Sequence, residues 1–118
     1  MRELTEHVVN PVNDLLTITV LDEPGAGGAN HEYMIEVPQG LTHRISFQNG
    51  TIPEKGVNGV TQEALLAIVA DRLRAFQAGP FSNGYNERAL QHVEMALSEL
   101  KARTQERMNR GVEGTHTV

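Results

Sequence analysis

Three arginines near the end of the chain, Arg103, Arg107 and Arg110, stand at i, i+4 and i+7, the spacing that places side chains on one helical face. Three planar guanidiniums on one stripe form a fork-like receptor for anions, phosphates above all. At the other end of the same helical pattern Asn86 supplies an amide, and Phe76, just upstream, supplies an aromatic face. A ring and an amide suit a nucleotide's base and its edge or ribose hydroxyl. From Asn86 to Arg103 is about 25 Å of helix at about 1.5 Å per residue, too far for one small ligand to touch both on one chain. If both serve one nucleotide-sized ligand, they must come from two copies whose long helices lie antiparallel. From the residues alone, the plainer assignment is favoured. Phe76 would be core and Asn86 a helix N-cap. The arginines would be a solvated face, with Glu99, Glu106 and Arg103 forming pairs worth about a few tenths of a kcal/mol.

The elements that must position these groups are legible in outline. Leu16-Thr17-Ile18-Thr19-Val20 alternates apolar residues with threonine and reads as a strand. The glycine-rich stretch 24–30 is a turn, 31–37 a second strand, Pro38-Gln39-Gly40 another turn and 41–48 a third strand, closed by Asn49-Gly50. Residues 14–50 therefore form a small antiparallel sheet, preceded by an irregular polar arm over 1–13 that contains Pro11. After a loop holding Pro53, Gly56 and Gly59, Thr61 caps a helix that runs to about Ala78 and stops at Gly79-Pro80. Its Leu65, Leu66, Ile68, Val69, Leu73 and Phe76 cover an arc of roughly 160°. A second helix starts near Gly84 or Asn86 and ends at Arg110, with Gly111 as C-cap and Leu90, Val93, Leu97 and Leu100 at coiled-coil-like spacing. The two helices, 61–110, form a hairpin whose wide apolar arc favours packing on another copy. The polar tail 111–118 would ordinarily fray. The fold class is thus α+β in a single domain: an N-terminal antiparallel sheet, then a two-helix hairpin that oligomerises through its helices.

Composition narrows the function. The chain has 118 residues, no cysteine and a net charge of −5, which removes thiol chemistry, thiolate zinc sites and broad binding to DNA or RNA. No apolar run reaches the ~18 residues of a membrane span, and the acidic N-terminus does not read as a signal peptide. The five histidines form no metal-binding pattern. The glycines at 25–28 precede a strand and lack the Lys-Ser or Lys-Thr of a phosphate loop. Ser46, Ser82 and Ser98 have no nucleophile context. The chain is therefore expected to be a binding protein without cofactor or metal.

Several motifs stand in order: Phe47-Gln48-Asn49-Gly50, Gly56-Val57-Asn58-Gly59-Val60, Glu63-Ala64-Leu65-Leu66-Ala67-Ile68-Val69, Asp71-Arg72-Leu73, Phe76-Gln77-Ala78-Gly79-Pro80-Phe81 and Arg110-Gly111-Val112-Glu113-Gly114-Thr115-His116. Together they resemble the first-described Thoeris anti-defence family of phage proteins, over about residues 31 to 118. The resemblance implies a sponge, not an enzyme, that captures a cyclic ADP-ribose isomer made by a bacterial TIR-domain enzyme, in the cytoplasm of the infected host. It also implies a homodimer or a hexamer built as a trimer of dimers. Phe76 is then the base-stacking ring, Asn86 the polar partner, and Arg103 and Arg107 the pair that meets the pyrophosphate, with Arg110 a further ligand residue. Three alternatives remain open: a sponge for cyclic di- or trinucleotides of the CBASS pathway, at a separate site; an enzyme that cleaves the signal with Glu106 or Glu113 as base; and a structural or regulatory helical-hairpin protein with no ligand. The loop Phe81-Ser82-Asn83-Gly84-Tyr85 departs from the Cys-Arg-Glu that many members of that family carry before the asparagine.

Overall fold

The computed structural model describes residues 1–10, 12 and 14–118. The chain forms two compact units, Met1–Val60 and Thr61–Val118.

The first unit is a four-stranded antiparallel sheet in the order β1 (Arg2–Leu4), β2 (Thr17–Val20), β3 (Glu32–Glu36) and β4 (Thr42–Ser46). The pairing Ile18↔Ile35, Val20↔Tyr33 and Tyr33↔Ile45 puts the apolar half of each alternating strand on one face. Val20 is fully buried there, and the ring of Tyr33 meets Phe47 edge-on with centroids 5.6 Å apart. The opposite face carries Glu32, whose carboxylate accepts from Ser46 Oγ at 2.7 Å and Arg44 Nε at 3.1 Å. Those bonds hold the Glu32 carboxyl below its usual range, against the opposing pull of desolvation. Asp22, at the β2–β3 turn, accepts from the backbone N–H groups of His31 and Glu32. Desolvation is the largest single influence on Asp22 and pushes upward, yet the backbone bonds from Glu32 and His31 together prevail and lower its pKa.

The irregular arm expected over residues 1–13 is overturned at its start, because Arg2–Leu4 forms an edge strand against β2. Arg2-Glu3-Leu4 has too little apolar alternation to show as a strand, and pairing with β2 supplies what propensity does not. The portion of the expected arm at Pro11 and Asn13 lies outside the described residues.

The loop at 49–60 also holds more order than its glycines and proline suggest. Pro53 sits in the first turn of a short helix α1 (Ile52–Lys55), where a missing N–H costs nothing. Around it, Gln48 and Asn58 form a double amide clamp. Gln48 Nε2 donates to Gly56 O and Gln48 Oε1 accepts from Asn58 N, while Asn58 bonds both the N–H and the carbonyl of Asn49. Gly59 lets the chain pass Phe47, since a Cβ there would lie 2.4 Å from the Phe47 carbonyl carbon. Two of the ordered motifs, around Asn49 and Asn58, are thus the halves of one structural clamp.

The second unit is the helical hairpin α2 (Gln62–Gln77) and α3 (Gly84–Arg110). Thr61 Oγ1 caps α2 by accepting from Ala64 N at 3.1 Å, and Gly111 ends α3 in the left-handed conformation at φ 74°. Leu66, Ala70 and Leu73 of α2 line its buried edge, and Leu90, Val93, Leu97, Leu100 and Thr104 give α3 its half-buried stripe. Arg74 and Glu94 tie the helices at 3.3 Å. Two helices cannot bury an arc of roughly 160° against each other, and the outer edge remains open: Ile68 is 58% exposed and Met95 on α3 is 64% exposed. Among the described residues no helix is long and apolar enough to cross a membrane.

Candidate functional site

The turn between α2 and α3 is built by two amides. Gln77 Nε2 donates to Asn83 O at 3.0 Å and its Oε1 accepts from Asn83 N at 3.1 Å, closing the loop as a paired strand would. Asn83 Nδ2 donates to Phe81 O, and its Oδ1 accepts from Asn86 N at 2.9 Å. Asn83 is therefore the N-cap of α3, a role worth about 1 kcal/mol. The structural assignment of Asn86 as N-cap is thereby corrected. Its side chain is released from capping and lies half-buried at the head of the α3 stripe.

This rigid turn holds Phe76 at the edge of a depression of about 450 Å³ lined by Asp71, Arg72, Ala75, Phe76, Gly79, Pro80 and Phe81. Phe76 is 42% exposed and Phe81 73%, so the assignment of Phe76 to the core is corrected as well. Its ring belongs to the outer edge of the α2 arc, one step round from Leu73. The Arg72 guanidinium lies 5.7 Å from the Phe76 ring centroid, within cation–π range. Asn86 does not line this depression. The loop that departs from the family pattern adds Tyr85, which is exposed and has the Arg88 guanidinium 5.0 Å from its ring.

At the far end of α3 the three arginines behave differently. Arg103 is exposed and has no ion-pair partner among the described residues. Arg110 pairs with Glu106 and donates to the backbone oxygen of Val118 at 3.0 Å. Arg107 is only 7% exposed. Its Nε donates to Glu113 at 3.0 Å, its two terminal nitrogens to the backbone oxygens of Thr117, Val112 and Thr115. The three therefore do not present a shared free stripe. The tail, expected to fray, instead wraps the Arg107 guanidinium, aided by Val112 N donating to Arg107 O at 3.0 Å. Spacing alone places the three on one face but cannot show that the last turn of chain returns to consume the middle one.

The structure thus brings together Phe76 with Asp71, Arg72 and Phe81, three residues that stand in the ordered motifs but to which the sequence assigned no site role. The i, i+4 relation of Arg72 to Phe76 was the available signal. Asn86 and Arg103 lie on one uninterrupted helix, toward its two ends. Glu106 and Glu113, the acids nearest the arginines, are both ion-paired. Among the described residues no cluster of His, Asp and Glu is arranged to hold a metal ion.

Comparison with known proteins adds to this geometry. Residues 40–105 match the model of the Acb2/Tad1 hairpin domain, which takes in the Gln48–Asn58 clamp, α2 and α3 as far as Gln105, Arg103 included. The chain is also 41% identical over 92 residues to Thoeris anti-defense 1 of Bacillus phage SBSphiJ7, a match covering 78% of this chain and 65% of that relative. The chain therefore spans slightly less than two-thirds of the relative's length. With more than half of its residues matching that model, the chain belongs to the Acb2/Tad1 hairpin-domain family.

Proposed function

We propose that this protein is a phage anti-defence sponge. It captures a cyclic ADP-ribose isomer in the cytoplasm of the infected host and holds it intact, so that the Thoeris effector is not activated. The observation that carries this reading is the half-exposed Phe76 ring on a nucleoside-sized depression in a member of the family. The base stacks on Phe76, and Asn86, which lies outside the depression and is relieved of capping by Asn83, meets the part of the ligand that extends beyond it, at the base edge or a ribose hydroxyl. The pyrophosphate meets Arg103, whose guanidinium is unspent. Arg107 serves by holding the tail, and Arg110 stands beside it. Because Asn86 and Arg103 are about 25 Å apart on one helix, Arg103 comes from a second copy laid antiparallel, and the exposed Ile68 and Met95 supply apolar surface for that association. The copies form a dimer or a hexamer of three dimers.

Binding without turnover is supported by the pairing of Glu106 with Arg110 and of Glu113 with Arg107, since a general base must be free to take a proton. The test is to incubate the protein with the isomer, remove free ligand, denature the protein and assay what is released. Intact ligand in proportion to protein supports the proposal. Cleaved ligand, or no nucleotide-induced rise in Tm, overturns it.

A further inference from the structure

The depression at the α2–α3 turn contains a carboxylate that the proposed function does not use. Asp71 lines it beside Arg72, both side chains are exposed, and neither has an ion-pair partner among the described residues. An unspent carboxylate is an odd neighbour for a ligand bearing phosphates, because like charges repel. It is well suited to a different part of the same molecule. An ionised carboxylate accepts hydrogen bonds only, and an acid bonding a ribose hydroxyl is a recurrent device of nucleotide recognition.

We infer that Asp71 is a specificity-determining residue of the site: it accepts from a hydroxyl of the ribose attached to the base on Phe76, and its charge turns the phosphate end of the ligand outward. The surrounding geometry agrees. Arg72 covers part of the Phe76 ring, which leaves the remaining face to the base, while Phe81 supplies a second aromatic wall. The open depression of about 450 Å³ is large enough to seat a nucleoside, so one end of the ligand can enter while the other extends beyond it. Asp71 decides which. The ligand class is therefore a ribonucleotide with a free hydroxyl on the stacked nucleoside, in preference to its deoxy counterpart.

This inference rests on the sponge reading, and its test separates the two. The full chain and its Asp71→Asn variant are titrated by calorimetry with the cyclic ADP-ribose isomer and with analogues lacking, one at a time, each free hydroxyl of the adenosine ribose. Asparagine keeps the shape and the position but removes the charge. Wild type is expected to bind the parent isomer at least about tenfold more tightly than one of the deoxy analogues, the loss of one hydrogen bond to a charged group. In Asp71→Asn that gap should close to within about threefold, with the Tm unchanged. A wild type that binds every analogue as well as the parent, or a variant that keeps the full gap, overturns the role of Asp71 and leaves the sponge reading standing. A wild type that binds none of them overturns both.

Discussion

The two units of this chain treat polar groups in opposite ways. In the sheet unit several polar side chains are spent on the fold itself. Asp22 fastens two backbone N–H groups, Glu32 joins Ser46 to Arg44, and Gln48 and Asn58 satisfy each other and the loop around them. In the helical unit the groups with most binding potential are left over: the Arg103 guanidinium, the Asp71 carboxylate, and the rings of Phe76 and Phe81. A fold that satisfies its own polar groups gains stability and offers a ligand little, whereas unspent groups on a rigid frame are what a binding site requires. Within the helical unit the same contrast recurs between Arg107, wholly engaged, and Arg103, wholly free.

That last contrast gives the largest expected effect. Arg103→Ala should weaken capture of the cyclic ADP-ribose isomer roughly ten- to hundredfold, the loss of about 1.5 to 3 kcal/mol of charge-assisted bonding. Its Tm should stay unchanged, because the side chain holds nothing in the fold. Arg107→Ala should do the reverse first. It should cost about 2 kcal/mol of stability by leaving several backbone oxygens without their donor, and limited proteolysis should then cut the tail at 112–118. Arg107→Lys should not restore the tail, since one ammonium cannot imitate a planar fork reaching four acceptors. Equal loss of stability in the Arg103 and Arg107 variants would erase the distinction between them.

A smaller effect is expected at Gly111. Its φ of 74° is unfavourable for a residue with a Cβ, while the space around it is open. Gly111→Ala should therefore cost about 1 kcal/mol through backbone conformation alone, read as a lower Tm with the tail still attached. The smallest effect concerns acid. The Asp22 and Glu32 carboxyls are held below their ordinary values of 3.8 and 4.5. A depressed folded-state pKa contributes stability that is present above the unfolded value and is lost as pH falls through the folded one. Hydrogen-exchange protection of the Glu32 amide should thus fall below about pH 4, and Asp22→Asn should flatten that dependence.

Much of this was readable in the residues. Strand alternation around Ile18, the Thr61 cap, the Gly79-Pro80 stop and the Gly111 C-cap are local signals, and the structure has all of them where local chemistry puts them. What the sequence did not show depends on partners distant in the chain. Arg2–Leu4 becomes a strand only because β2 offers an edge. Asn83 displaces Asn86 as N-cap because Gln77 clamps its backbone from the other helix. Phe76 moves from core to surface because α3 covers only one edge of the α2 arc. The burial of Arg107 is set by a tail whose composition is that of a loose end.

The central claim is that one ligand is gripped by groups from two copies of the helical unit. Asn86→Ala and Arg103→Ala proteins should each bind the cyclic ADP-ribose isomer poorly alone. In an antiparallel dimer with two equivalent sites, a mixed pair places both lesions in one site and leaves the other whole. Co-refolding the two variants and titrating the purified mixed oligomer by calorimetry should therefore recover wild-type affinity at about one site per mixed dimer. Mixed oligomers that recover no tight binding would contradict a site shared between copies.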